Sequence, residues 1–218
     1  MDALPQSQSV TAGGPVRRLA PRASVYQRAV KPVMDVLVGA CLLLVLFPVL
    51  VLIGIGIRLD SPGPALFRQT RIGQHGTRIQ VVRFRSVRTS SELWRLTLAH
   101  APIEVGIDAP GLTRMGRLLL KTRLDRLPQL LNVVRLEMSL VGPRPPLPYE
   151  VERYRPVDWI RLRVKPGLTC LWQLDRQSGS REAAMSSDYR YVAGISFRLD
   201  LTILFRTAVA MVAGRVPP

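Results

Sequence analysis

The chain has 218 residues, 47% of them hydrophobic and 21% charged. That is enough for one domain with a sizeable core, and it excludes a chain disordered throughout. Lys and Arg number 31 against 15 Asp and Glu, a net charge of +16, so an anionic partner is expected. Two cysteines, Cys41 and Cys170, exclude a disulfide framework and a Cys-rich zinc motif, and suit a reducing compartment. Lys31, Lys121 and Lys165 are the only lysines; every other basic residue is an arginine, whose planar fork grips phosphate in a way an ammonium does not.

Residues 1–24, rich in Ser, Pro, Gly and Arg, read as a disordered basic tail suited to anionic lipid. From Val36 to Ile57 no residue is charged. As a helix this run is about 33 Å long, enough for a hydrocarbon core of roughly 30 Å. It starts too late and runs too long for a cleavable signal peptide. Arg17, Arg18, Arg22, Arg28 and Lys31 precede it, and Arg58, Arg68 and Arg71 follow. Both flanks therefore look cytoplasmic. Pro48 interrupts the middle. A helix that enters, bends and leaves on the same face satisfies both facts; an ordinary kinked span is the alternative these residues leave open.

Downstream, Leu66–Ile72 and Arg78–Phe84 read as a hairpin turning at Gly73 to Gly76 and presenting Arg68, Arg83 and Arg85. Residues 89–112 read as helix and loop. Met115 to Val134 has leucines at helical spacing, as two short helices broken near Thr122–Leu124. Asp125 is placed to start the second, with Pro128 in its first turn. In SLVGPRPPLP, 139–148, prolines stiffen the backbone around Arg144, a guanidinium presented with little entropy to lose. VKPGLTCLWQL, 164–174, is a Pro-Gly turn leading into a strand, and Arg181 to Val192 a polar helix containing Asp188. Leu199 to Val212 is a core helix or a shallow membrane contact. His75 and His100 receive no role, and no internal repeat is visible.

Arg83, Arg85, Lys121, Arg123 and Arg144 are the cations available to neutralise a phosphate under attack by a carboxylate. Taken alone, Asp125 reads first as a helix cap and each arginine as part of a solvated face.

Four ordered stretches, RFRSV at 83–87, LDRLPQLLNV at 124–133, MSLVGPRP at 138–145 and VKPGLTCLWQL at 164–174, resemble the bacterial sugar transferases. Within that family the match is to the monotopic polyprenyl-phosphate sugar-1-phosphate transferases, over about Val33 to Met211. The resemblance implies a mostly α fold with a small β-hairpin. An N-terminal re-entrant membrane helix (25–58, after the 1–24 tail) would pack on a compact cytoplasmic α+β catalytic domain (59–215) with amphipathic interfacial helices. The implied place is the cytoplasmic face of the bacterial inner membrane. The implied partners are a nucleotide-diphosphate sugar, polyprenyl (undecaprenyl) phosphate, membrane lipids and a possible second copy of the chain, in glycan assembly such as exopolysaccharide or O-antigen synthesis. The implied reaction is a two-step exchange with Mg2+ in which an aspartate carries the sugar phosphate covalently. By motif position that nucleophile is Asp125, with Arg83, Arg85, Lys121, Arg123, Arg144 and Lys165 as phosphate or substrate ligands.

Three positions depart from the family pattern. Arg126 stands where a glutamate usually follows the aspartate, a swing of two charges beside the nucleophile. Leu136-Glu137 replaces Gly-Asp, and Cys170 replaces Gly. Glu137 or Asp188 would then join Asp125 in holding the metal. Two rivals follow: a relative that binds donor or lipid phosphate without turnover, or partners an active paralogue, and a membrane-tethered basic module for nucleic acid. Only 6% of the chain is aromatic and no recognition motif is visible, which argues against the second.

Overall fold

Helix α1, Lys31–Asp60, continues a π-helical turn over Tyr26–Val30 and runs through Pro48 without a break. The computed structural model describes residues 24–91, 94, 109–174 and 181–213. Apart from Ser24, the expected basic tail lies outside the described residues, as do His100 and most of the 89–112 stretch. Pro32 sits in the first turn of α1, where its missing N–H costs nothing.

One narrow stripe of α1 touches the rest of the chain. Asp35, Gly39, Ile53 and Ile57 are buried; Leu43 and Leu46 pack on the larger core cluster, and Leu50 on the second. These positions recur every three or four residues, the seam of a helix lying along a surface. Leu37, Leu44, Val45, Phe47, Leu52, Ile55 and Leu59 are exposed, leaving a long apolar face uncovered. Both ends are fixed to the same body. Asp35 accepts from the Ser139 hydroxyl at 2.6 Å, and Asp60 accepts from Met115 N at 2.8 Å.

Strands β1 (Leu66–Ile72) and β2 (Arg78–Phe84) form the expected antiparallel hairpin, with Gln69 opposite Val81 and Arg71 opposite Ile79. Helix α2, Arg114–Thr122, is capped by the Thr113 hydroxyl, which accepts from Gly116 N at 2.8 Å. It ends at Arg123, whose φ of 61° is left-handed. A 3-10 turn over Leu124–Gln129 and helix α3, Leu130–Val134, follow. The expected break near Thr122–Leu124 is present, but Asp125 does not cap a helix. The left-handed Arg123 makes the turn, and the Asp125 carboxylate points away to Arg83.

Strand β3, Ser139–Val141, pairs in parallel with β4, Gly167–Thr169, a second small sheet beside the expected hairpin. Between them lie helix α4, Pro148–Glu152, and a 3-10 segment over Pro156–Arg163. A Cβ on Gly167 would come within 2.1 Å of Gly142 N, so this approach requires glycine. Helix α5, Arg181–Gly194, is the expected polar helix. Helix α6, Phe197–Val212, buries Ile203 in the core, as a core helix would, and exposes Phe197, Leu201, Phe205 and Val209 at every fourth position. The larger core joins Ile79 and Val81 of β2, Leu130 and Val133 of α3, β3, and Tyr191, Val192 and Ile203 of the C-terminal helices.

Candidate active site

The hairpin face carrying Val81 and Arg83, the 3-10 turn after α2, the segment at Arg144–Pro145 and strand β4 border an open cleft. Arg71, Arg83, Arg126 and Arg144 line it together with Gln129, Pro145, Gly167 and Cys170. Strand alternation explains two of the four. Arg71 pairs with Ile79 and Arg83 with Phe67, so both guanidiniums leave the same hairpin face.

Asp125 lies behind this lining, 2% exposed. Arg83 Nη2 donates to its Oδ2 at 2.7 Å, and Oδ1 is buried without a hydrogen-bond partner. The aspartate is thus held at one oxygen and unsatisfied at the other, which suits a carboxylate whose free oxygen is meant to react. The turn that carries it is fastened to the hairpin by Asn132. That side chain accepts from Val82 N at 3.1 Å and donates to Gln80 O at 2.7 Å, closing the outer edge of β2.

Arg71 is fixed before any ligand arrives. Its Nε and Nη2 both donate to Gln69 Oε1 and its Nη1 to Pro145 O. Burial, then the nearby charges of Arg144 and Arg83, lower its pKa to about 9. Arg126 is lowered to about 9 as well, by burial and by Arg83 and Arg123, with Asp125 opposing. Arg144 is steadied through its backbone: Arg161 Nη2 donates to Arg144 O at 3.2 Å and pairs with Asp188 at 2.7 Å.

A family model described as bacterial sugar transferase matches residues 26–214. The chain belongs to the bacterial sugar transferase family. It is 36% identical to a UDP-glucose:undecaprenyl-phosphate glucose-1-phosphate transferase of Caulobacter vibrioides, over 97% of this chain and 79% of that protein. It is 36% identical to an undecaprenyl-phosphate galactose phosphotransferase of Salmonella typhimurium, over 83% of this chain but 40% of the relative. It is 37% identical to an exopolysaccharide production protein of Rhizobium leguminosarum bv. phaseoli, over 83% of this chain and 94% of the relative. The chain thus spans much less than two thirds of the Salmonella protein.

The structure of this sugar transferase distributes the expected ligands unevenly. Arg83 and Arg144 line the Asp125 cleft. Arg123 sits partly buried at the turn, and Lys121 is exposed at the end of α2. Arg85, expected among the phosphate ligands, is instead wholly buried. It donates to Pro62 O and Ser61 O at 2.7 Å, so it satisfies carbonyls at the end of α1 and does not face the cleft. Lys165 lines a different cleft, beside Arg28, Lys31 and Asp35 at the start of α1. The sequence reading missed Arg71 and Gln129 as lining residues. Strand alternation counted outward from Arg83 would have found Arg71; Gln129 carries no such signal.

Among the described residues, those lining the cleft fit a Mg2+ ion poorly. Mg2+ takes six oxygens in near-octahedral order, commonly one or two carboxylates with phosphates and water. Among the described residues no three His, Cys, Asp or Glu side chains form a group able to hold a metal ion. Glu137 accepts from Asn132 at 2.6 Å and Asp188 pairs with Arg161 at 2.7 Å, and neither lines the cleft. Among the described residues four arginines and no acid line the cleft, with Asp125 paired to Arg83 and Glu150 3.7 Å from Arg144 beside it.

Proposed function

We propose that the chain transfers a sugar 1-phosphate from a nucleotide-diphosphate sugar, a UDP-sugar by analogy with the relatives, to polyprenyl phosphate. Asp125 is the nucleophile. Its free oxygen attacks the phosphorus that bears the sugar, the P–O bond to the other phosphate breaks, and the electron pair leaves with the nucleoside monophosphate. An oxygen of the lipid phosphate then attacks the aspartyl phosphate, which restores the carboxylate and yields the sugar-diphospholipid. Arg71, Arg83 and Arg144 hold the phosphates and stabilise the charge that moves between them. Arg83 must trade Asp125 for a phosphate oxygen, which uncovers the nucleophile only when the donor is bound.

The observation that carries this reading is the buried carboxylate with one unsatisfied oxygen behind an arginine-lined cleft. The topology supports it as well. Because the two ends of α1 are tied to one body, its exposed apolar face and that of α6 fit a chain embedded in one leaflet, with the catalytic face and its arginines on the cytoplasmic side. This favours the same-face reading of the membrane helix over a span.

Mass spectrometry of the purified chain after exposure to a panel of UDP-sugars tests the proposal. The expected result is a hexose-phosphate adduct on the peptide containing Asp125, absent in Asp125→Asn and discharged by undecaprenyl phosphate. An adduct on another residue, or none with any donor, overturns it.

A further inference from the structure

We propose that the arginines of the Asp125 cleft, completed by Arg126, supply the whole counter-charge for the donor diphosphate, so that this chain binds it without a divalent cation. The inference rests on the transferase reading above.

The donor set argues for it. Arg71, Arg83, Arg126 and Arg144 face one cleft with no acid in its lining among the described residues; the nearest carboxylates are already paired, Asp125 with Arg83 and Glu150 with Arg144 at 3.7 Å. A divalent cation entering here meets four positive neighbours and only carboxylates already paired with arginine, whereas a diphosphate meets four guanidinium charges. Arg126 is the group that changes the balance. The turn that places Asp125 also places the next side chain on the cleft, so an acid at 126 would complete a pair of carboxylates and an arginine there abolishes it. The Arg126 Nε is buried without a hydrogen-bond partner, while Arg71 is anchored on Gln69 and Pro145. A buried donor left in that state gains from an anionic ligand what the protein does not provide. The transfer step keeps its balance: the bond to Asp125 forms, the bond between the phosphates breaks, and the negative charge gathering on the departing nucleoside monophosphate is met by guanidinium.

The test uses the full chain in detergent micelles with UDP as probe, titrated calorimetrically in excess EDTA and again with Mg2+. The expected dissociation constants agree within about threefold. Affinity at least about tenfold tighter with Mg2+, or no UDP binding in either buffer, overturns the inference. Arg126→Gln is expected to weaken UDP binding in EDTA by about tenfold or more, with thermal unfolding confirming that the variant folds. Arg126→Glu is expected to bind UDP only once Mg2+ is added; equal binding by this variant and the parent in EDTA counts against the inference. Donor turnover separates the two readings. UMP release that requires Mg2+ sinks the inference and keeps the transferase. Metal-free UDP binding with no release from any donor sinks the transferase and keeps the inference.

Discussion

Lys31 Nζ lies 2.6 Å from Asp200 Oδ2, an ion pair between α1 and α6 across 169 positions of sequence. The same carboxylate accepts from the hydroxyls of Tyr26 at 2.7 Å and Tyr191 at 2.8 Å, and it is wholly buried. Lys31 also lies 3.7 Å from Asp35, which holds Ser139 of β3. Helices α1 and α6 and the second sheet therefore meet in one polar knot. Removing its central acid leaves Lys31 without its nearest partner and the Tyr26 hydroxyl without its acceptor, while Tyr191 keeps Val141 O at 2.9 Å. Asp200→Ala is expected to cost about 3–5 kcal/mol, read from denaturant unfolding in detergent. Because the pair itself is not strongly stabilising over an apolar replacement, Lys31→Met with Asp200→Leu should recover part of that loss.

Arg85 makes the opposite prediction from the cleft arginines. Its guanidinium satisfies the Ser61 and Pro62 carbonyls just past the end of α1, and Gly63 at φ 120° leaves no room beside it for a Cβ. Burial lowers its pKa, with Asp60 opposing. Arg85→Ala is expected to destabilise the fold by about 3 kcal/mol, while UDP affinity of the folded fraction stays within about twofold. A large loss of affinity at unchanged stability would return Arg85 to the binding machinery.

Local signals in the sequence carried the elements further than they carried the site. The hairpin was legible because alternation and the Gly73–Gly76 turn fix both strands and register. The parallel β3–β4 pair was not, since three-residue strands give no period and their pairing is decided by the close approach of Gly142 and Gly167. Asp125 was picked out by a family motif, but its local reading as a cap failed because its partner Arg83 stands 42 positions away. The basic residues were the least legible. Arg83 and Arg85 share a strand periodicity, yet the first reaches the cleft and the second, just past the end of β2, turns under the end of α1.

Asn132 is a positioning residue, tying the turn that bears Asp125 to the hairpin that bears Arg83. Asn132→Ala orphans Val82 N–H and Gln80 C=O, at about 1–3 kcal/mol for each group left unsatisfied. A merely structural role would lower stability alone. Positioning predicts in addition that the rate of Asp125 adduct formation falls by about tenfold or more in the folded variant, with UDP affinity nearly unchanged.

Asp188 gives a pH signature. Burial pushes its carboxyl up to about 6, partly offset by the Arg161 charge and hydrogen bond. A carboxyl that holds its proton more tightly when folded stabilises the fold most at low pH. That contribution is complete below its ordinary value near 4 and disappears as pH rises to about 6, falling by about 1.4 kcal/mol for each pH unit climbed. Subtracting the unfolding free energies of Asp188→Asn from those of the parent, between pH 4 and 7, should isolate this slope. A difference that is flat, or that grows with pH, contradicts it.

The exposed stripe of α6 is expected to set how the domain meets lipid. Phe197, Leu201, Phe205 and Val209 are all more than half exposed, at the spacing of one helix face, and Phe197 stacks edge-on with Tyr26 at the start of the α1 helix. Arg198 and Arg206 are exposed on the same helix, where their stems reach past an apolar face toward phosphate. In Phe205→Trp the added emission should be blue-shifted and quenched by lipids brominated near the headgroup more than by those brominated at the chain ends. Quenching strongest at the chain ends would place α6 deep in the bilayer, and none at all would place it in water. Phe205→Asp should weaken association with liposomes containing anionic lipid without releasing the chain, since α1 still presents its own uncovered apolar face.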